Sequence, residues 1–281
     1  MTDRPRRVID AHIHLWDPQR ADWYPYLSRS PERMGRRFDV ATYEAEAAGW
    51  AVEKFVNVAA ATGRHSVDET IELDDRSASE GGPAAIIGGL PPTESVEEAV
   101  ALLDRQMTAA RFRGIRPMGG LDRPVPEPEV LRALQERELV FELMARPDRL
   151  QEAAAALEGV DGLSVVVEHT GWPRADTEEE RALWKQGMAA LAGLGPHVTC
   201  KLSGLAMPLE STRAGVLGPW LEHAIELFGV DRCLFASNFP VDSVHGTFDE
   251  LYTTFWTVTE GLGAAAQAKL FADNAERVYR L

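Results

Sequence analysis

The stretch RVIDAHIHL, residues 7–15, combines a strand-like alternation of side chains with two closely spaced histidines. Because side chains alternate along a strand, Asp10, His12 and His14 are predicted to share one face, with the aliphatic residues between them on the other. In a barrel the aliphatic face would pack against helices, and the polar face would point inward. Two imidazoles on an inward face can both reach one divalent ion, although such a pair can also be purely structural.

Further strand-like runs alternate with helix-like segments along the whole chain. The strand candidates are 7–15, 53–60, 84–90, 112–118, 138–145, 163–170, 198–204 and 232–238. Eight strands, most of them followed by a helix, predict an α/β fold with a closed parallel barrel, a single domain over residues 1–281. An open doubly wound sheet is the alternative, weakened by the lack of a glycine-rich phosphate turn after the first strand. The long aromatic segment 16–38 would lie over the active-site face as a lid.

The net charge limits the classes of molecule that the protein is expected to bind. Acidic residues outnumber basic ones 44 to 29, which gives a net charge of −15. Such a surface repels phosphate backbones, so neither nucleic acid nor an anionic membrane is an expected partner. A small anionic substrate stays compatible with it, because a few inward arginines can reverse the local field.

The cellular compartment is predicted from cysteines and apolar runs. Cys200 and Cys233 lie in strand-like runs and are expected to be buried thiols in a reducing compartment. No apolar run reaches the ~18 residues that cross a bilayer, and no apolar signal-peptide core follows the basic first residues. We therefore expect a cytoplasmic protein.

A third histidine lies at the end of the sixth strand candidate, in VVVEHTGWP, residues 165–173. His169 shares a face with Val165 and Val167, whereas Glu168 would face the other way unless the strand has already ended. Together with the two histidines of the first strand, His169 would complete a zinc site of the catalytic type, which keeps one position open for water. A hydrogen-bonded core histidine is the alternative for this residue.

Several motifs together resemble one family. The stretch DAHIHLWDP, residues 10–18, resembles the opening of the amidohydrolase-2 family of TIM-barrel metal-dependent hydrolases, and more narrowly its lactonase branch, which opens sugar lactones and pyrone dicarboxylate lactones. Further matches follow in order: FRGIR (112–116), EHTGWP (168–173), KLSGL (201–205), FASNFP (235–240) and FADNA (271–275). Each is weak alone, but their order makes the resemblance specific, and it covers essentially the whole chain.

The resemblance implies a distorted (β/α)8 barrel with its site at the C-terminal ends of the strands. His12, His14 and His169 would match the metal-proximal histidines of the family, holding a divalent ion that we expect to be zinc. Arg116 would match an arginine that contacts substrate, and its guanidinium suits a bidentate grip on a carboxylate or lactone carbonyl. The lactonase branch includes members that work without a metal, so a metal-free site is the alternative.

The sequence departs from the family pattern at the end of the eighth strand. The family normally presents an aspartate there that takes a proton from water, and this chain has Asn238. An amide cannot act as a general base. Three explanations stay open: Asp242 replaces the aspartate, a histidine or a metal-activated water does the work while Asn238 orients the water, or hydrolysis has been lost.

Four further side chains belong to the candidate pocket. Glu142 would ligate the metal or orient a histidine, or else pair with Arg146 at the barrel rim. Lys201 would contact substrate or form a structural ion pair. Trp16 and Trp172 would wall the pocket or belong to the core.

The predicted function is hydrolysis of a lactone or similar cyclic ester. A decarboxylase of aromatic or unsaturated acids on the same barrel is one alternative, and a small-molecule binding protein without turnover is another. The substrate would be selected by the loops at 16–38, 119–126, 171–178 and 205–213. A homodimer is expected only because it is the commonest assembly.

Overall fold

The structure is a computed structural model that describes residues 4–119 and 123–281. Residues 1–3, and residues 120–122 within the predicted loop 119–126, lie outside the described residues. The described chain contains eight strands in one sheet, ordered as in the sequence, with parallel pairing between neighbours. The strands are β1 (Val8–Ile13), β2 (Val52–Val58), β3 (Ala85–Leu90), β4 (Phe112–Pro117), β5 (Val140–Leu143), β6 (Val165–Val167), β7 (Val198–Leu202) and β8 (Cys233–Phe235).

The first and last strands meet where the sheet closes. Ile13 forms a parallel bridge with Phe239, just beyond β8. The Asn238 amide donates to the His12 carbonyl at 2.9 Å, and the His14 amide donates to the Phe239 carbonyl at 2.8 Å. The predicted (β/α)8 barrel is therefore confirmed.

Helices connect the strands on the outside of the barrel. They are α1 (Val40–Ala47), α2 (His65–Glu80), α3 (Val96–Gln106), α4 (Pro128–Glu136), α5 (Leu150–Leu157), α6 (Glu178–Gly193), α7 (Ala206–Leu209), α8 (Ala214–Phe228), α9 (Phe248–Thr259), α10 (Ala264–Ala268) and α11 (Asn274–Tyr279). A π-helical turn, Lys269–Asp273, joins the last two. Side-chain caps begin several of them: Ser95 accepts from the Glu98 amide and Thr177 from the Glu180 amide.

The core divides into an inner and an outer part. The inner cluster fills the barrel and is closed by residues of the C-terminal helix. Its members are Ile9, Ala11, Val56, Val58, Ala85, Ile87, Val140, Val166, Leu234, Ala236, Ala272, Ala275, Val278 and Tyr279. The outer cluster joins the opposite faces of the strands to the helices.

The first strand does not keep the predicted alternation. Ile9 and Ala11 belong to the inner cluster, whereas Ile13 belongs to the outer one, because β1 contains a register shift between Asp10 and Ile13. The prediction that Asp10 shares a face with the two histidines is wrong. Its carboxylate accepts from the Tyr43 hydroxyl of α1 at 2.9 Å and from the backbone at the end of β8.

Three other features bear on the predictions. Cys200 and Cys233 are buried free thiols, as expected. Segment 16–38 has paired ends, since Trp16 and Phe38 exchange two backbone hydrogen bonds of 3.0 and 2.9 Å. No helix in the described ranges is long and apolar enough to cross a membrane.

Candidate active site

The bulge in β1 places both histidines of the first strand at the barrel mouth. Their Nε2 atoms lie 3.2 Å apart. The Nδ1 atom of His14 is 2.8 Å from the Val58 carbonyl, which can only accept, so His14 carries its proton on Nδ1. The Trp16 ring stacks on that imidazole at 5.7 Å between centroids. His14 is thus held from two sides.

The end of β6 brings in a residue that the sequence reasoning missed. Val166 lies in the inner cluster, and Val165 and Val167 lie in the outer one. Glu168 therefore follows Val166 to the inside, which reverses the predicted orientation of this strand. The available signal in the sequence was an acidic residue directly after an apolar strand. Three consecutive valines, however, do not reveal which face of the strand is inward.

His169 reaches the site through a change in backbone conformation rather than through strand alternation. The strand has ended, and His169 has a φ of 52°, in the left-handed region. Its Nδ1 atom lies 3.0 Å from the Ser203 hydroxyl. Gly204 leaves room for the ring, because a Cβ atom there would lie 2.4 Å from the His169 ring carbon Cγ.

Three side chains of metal-ligand type come together. Ligand atoms of His12, Glu168 and His169 all lie within 4.8 Å of one another, and all three residues are buried. The His12 Nδ1 atom is 3.6 Å from Glu168 Oε1, and neither atom has a hydrogen-bond partner. The predicted metal site consisted of His12, His14 and His169. In the structure Glu168 replaces His14 in this group, and His14 lies beside it.

The imidazoles of the site are neutral near pH 7. Burial, followed by the charges of Arg116 and Lys201, lowers the pKa of His169 to about 3. Burial is also the largest cause that holds the pKa values of His12 and His14 well below their usual range. Neutral imidazoles keep the lone pair that a metal or a proton donor needs.

Arg116 extends from β4 towards the same group. Its Nη1 atom is 3.5 Å from Glu168 Oε2, and its Nη2 atom donates to the Ala59 carbonyl. The Nε atom has no partner, although the residue is only 8% exposed. The guanidinium is therefore fixed at one end and free to donate at another.

The end of β8 forms a second buried pair. Asn238 has a φ of 57°, and its Nδ2 atom donates to Asp242 Oδ1 at 3.0 Å. The remaining oxygens, Asn238 Oδ1 and Asp242 Oδ2, have no partner. Asp242 is completely buried, and this burial raises its pKa to about 7. Asp242 is therefore a residue of the barrel mouth and not of the surface.

Glu142 and Lys201 bind each other inside the barrel. The Lys201 ammonium lies 2.6 and 2.5 Å from the two Glu142 oxygens, and the Tyr279 hydroxyl donates to the same carboxylate at 2.6 Å. The alternative of a structural ion pair for Lys201 thus matches this geometry. Glu142 pairs with Lys201 and not with Arg146.

The two tryptophans contact the histidines directly. Trp172 meets His169 edge to face at 5.8 Å, and Trp16 covers His14. Apart from Trp172, which is partly exposed, the residues of the site are at most 8% exposed. A cavity of about 480 Å³ lies beyond Trp16, between segment 16–38 and the helices α1 and α2.

The amidohydrolase family model (Amidohydro_2) matches residues 9–281. The chain belongs to the amidohydrolase family. This amidohydrolase is 30% identical to the uncharacterized protein y4mH of Sinorhizobium fredii, over 98% of both chains. It is 29% identical to L-fucono-1,5-lactonase of Burkholderia ambifaria, over 97% of this chain and 95% of the relative.

A solved structure of a similar protein contains a bound metal. An amidohydrolase of Burkholderia multivorans, crystallised with bound zinc, superposes with a TM-score of 0.81 at 26% identity, over 98% of this chain and 99% of that one. In the present amidohydrolase the donor set His12, Glu168 and His169 fits a divalent ion. Two of its buried atoms lack a partner that such an ion would supply.

Proposed function

We propose that this amidohydrolase hydrolyses a lactone or similar cyclic ester carrying an anionic or strongly polar group. The observation that carries the proposal is the buried group of His12, Glu168 and His169 beside the Arg116 guanidinium, at the carboxyl ends of the strands. The relatives that are named L-fucono-1,5-lactonase support a sugar lactone as the substrate class. In the reaction, a water oxygen bonds to the carbonyl carbon, the ring C–O bond breaks, and the ring oxygen takes up a proton.

The metal ligands in this proposal are His12, Glu168 and His169, with His14 beside them. A divalent ion held there, which we expect to be zinc, supplies a positive charge that polarises a carbonyl oxygen and acidifies water. Substrate binding and proton transfer are carried out by side chains of the protein. If no ion binds, the neutral histidines hold the water by hydrogen bonds.

Arg116 binds the substrate in this proposal. Its Nη2 atom is committed to the Ala59 carbonyl, whereas its Nε atom has no partner. A substrate carboxylate or carbonyl oxygen would accept from that free edge of the guanidinium. Trp16 and Trp172 would close the apolar sides of the pocket.

Asn238 and Asp242 divide the task of the aspartate that the family usually has. Since Asn238 donates its amide to Asp242, its own oxygen is left to accept a hydrogen bond from water. Asp242 takes the proton, because its pKa of about 7 suits a general base near neutral pH. We expect Asn238→Asp to lower turnover, since two carboxylates would then repel each other; a gain in lactone hydrolysis would contradict this division.

The test begins with the metal content of protein purified without affinity tags or chelators. We expect about one zinc or manganese per chain. A panel of sugar lactones and aromatic lactones is then assayed for ring-opened acid with that metal present. Failure to bind metal on addition would overturn the zinc site and leave the metal-free form.

Two further assays, one with aryl carboxylates and one of thermal stability, could overturn lactone hydrolysis itself. Carbon dioxide released from aryl carboxylates without ring-opened acid would identify a decarboxylase. Thermal stabilisation by a ligand without turnover, even with added zinc, would identify a binding protein. Assembly as a homodimer stays a prediction, which light scattering of the purified protein measures.

A further inference from the structure

The backbone at the end of β2 holds two side chains of the site and one of segment 16–38. The carbonyl oxygens of residues 58, 59 and 60 accept hydrogen bonds, in that order, from His14, Arg116 and Tyr26. The distances are 2.8 Å for His14 Nδ1 and 3.0 Å for the Tyr26 hydroxyl. The position of this backbone segment therefore sets where an imidazole and the substrate-binding guanidinium lie.

The same segment is held from its other side by one buried carboxylate. Glu69, on α2, is 3% exposed. Its Oε2 atom accepts from the amides of Ala60 and Ala61 at 2.9 and 3.2 Å. Its Oε1 atom accepts from the Tyr24 hydroxyl, in segment 16–38, at 2.8 Å. A single side chain thus joins α2, the end of β2 and segment 16–38.

We propose that Glu69 is a positioning residue for Arg116, the arginine that binds substrate, and for segment 16–38. It acts through residues 58–61, whose carbonyls fix Arg116 and His14, and through Tyr24, which ties segment 16–38 to the barrel. The inference rests on the proposed function only in that Arg116 contacts substrate. Glu69 itself touches neither the metal ligands nor Arg116 by a hydrogen bond.

The contacts of Glu69 match the acceptors of a carboxylate. All of its partners are donors: two backbone N–H groups and one hydroxyl. A carboxylate can accept from all of them, whereas a glutamine amide has one acceptor oxygen and turns its NH₂ group towards other donors. Glu69→Gln keeps the shape of the side chain and removes this match, so that residues 58–61 lose an anchor without leaving a cavity.

The experiment compares Glu69→Gln with Asp75→Asn, which removes a carboxylate from an exposed position on the same helix. Hydrogen exchange is followed by mass spectrometry in the full chain. We expect amides 60 and 61 to exchange about tenfold faster in Glu69→Gln, because each tenfold corresponds to 1.4 kcal/mol of lost protection. Peptides from segment 16–38 should also exchange faster, and Asp75→Asn should match the natural protein in both regions.

Kinetics provide the readout that a merely structural role would not change. On a lactone that the natural protein opens, we expect Glu69→Gln to raise KM about tenfold with a smaller loss in kcat, as misplacement of a binding group predicts. A lower melting temperature with unchanged KM and unchanged exchange at 58–61 would overturn the inference.

The outcomes separate this inference from the proposed function. If the natural protein opens no lactone but exchange at 58–61 still rises in Glu69→Gln, the anchoring stands and the lactonase proposal falls. If Glu69→Gln does not fold, Tyr24→Phe removes one contact of the carboxylate only. It should then accelerate exchange in segment 16–38 while 58–61 stays protected, and unchanged exchange in 16–38 would overturn the link.

Discussion

The two sides of the barrel mouth differ in how completely their polar atoms are hydrogen-bonded. On the β2 side, the Glu69 carboxylate, His14 Nδ1 and the Tyr26 hydroxyl have partners, and the buried atoms without one are the nitrogens Asn57 Nδ2 and Arg116 Nε. On the side formed by β6, β8 and His12 of β1, four buried atoms have none: His12 Nδ1, Glu168 Oε1, Asn238 Oδ1 and Asp242 Oδ2. An unpaired buried polar group costs about 1–3 kcal/mol, so such a cluster is expected where a ligand completes the bonding. The first side is therefore a scaffold, and the second is where we expect chemistry.

The largest effect should come from removing a ligand on the unpartnered side. His12→Ala should lower both metal affinity and turnover by more than about 100-fold, since even residues that only orient metal ligands cost 10–100-fold. Elemental mass spectrometry and lactone assays with added zinc measure the two effects. His223→Ala is the matched control, because His223 lies on α8 beside Trp184 in the outer layer. Equal losses in both variants would contradict the assignment.

A somewhat smaller effect is expected from Asp242→Asn. Because Asp242 has a pKa of about 7, a base at this position makes kcat/KM rise as pH increases through 7. The asparagine variant should lose about 100-fold at pH 8 and should lack that rise. A pH profile with the same ascending limb in the variant would show that another group is the base.

Asp242→Asn, which should lower turnover, should raise the free energy of unfolding near neutral pH. Burial raises the pKa of Asp242 in the folded state from its ordinary value of 3.8 to about 7. Between these pH values the folded state binds more protons than the unfolded state, so this group lowers stability as pH rises from about 4 to 7. Asp242→Asn removes that loss. Melting temperatures at pH 5 and pH 8 should therefore differ less in the variant than in the natural protein.

The position of His169 can be tested without touching a polar group. At Gly204 the backbone has a φ of 66°, and a Cβ atom would lie 2.4 Å from the His169 ring. Alanine in this conformation costs about 1–2 kcal/mol, in addition to displacing the imidazole. We expect Gly204→Ala to lower turnover about tenfold, as a displaced side chain in a metal site does.

Gly193→Ala is the control for Gly204→Ala. Gly193 ends α6, and a Cβ atom there meets nothing within 4 Å. Alanine should stabilise this position by about 0.5–1 kcal/mol and leave turnover unchanged. Full activity in Gly204→Ala would mean that the site tolerates a displaced His169.

The barrel and the proximity of His12 to His14 were predictable from the sequence because they depend on local patterns. Alternating strands and helices specify the fold, and the spacing of His12 and His14 survives the bulge. The place of Asp10 was not predictable, since no residue type marks the register shift that puts Asp10 and the two histidines on different faces. Glu168 was missed for a similar reason: the inward face of β6 is decided by barrel closure, and its three valines fit either face.

Pairs across the barrel are still harder to infer. Glu142 and Lys201 come from strands separated by β6, and only the closed sheet brings the carboxylate to 2.5 Å from the ammonium. The unpartnered oxygens of Asn238 and Asp242 also depend on the backbone turn after β8, where Asn238 takes a positive φ. The sequence supplies such residues but not the contacts that decide which of them stay free to react.

The smallest effect should come from a single contact on the scaffold side. Tyr26→Phe removes the hydroxyl that donates to the Ala60 carbonyl, and the ring against Trp16 is kept. The expected loss of stability is about 0.5–1.5 kcal/mol, the usual worth of one hydrogen bond, because Tyr26 is half-buried and water can replace it. KM should rise by no more than a few-fold, since Glu69 still holds the same backbone. Thermal melts and steady-state kinetics measure both, and a loss as large as that of His12→Ala would mean that the two sides of the mouth do not differ in role.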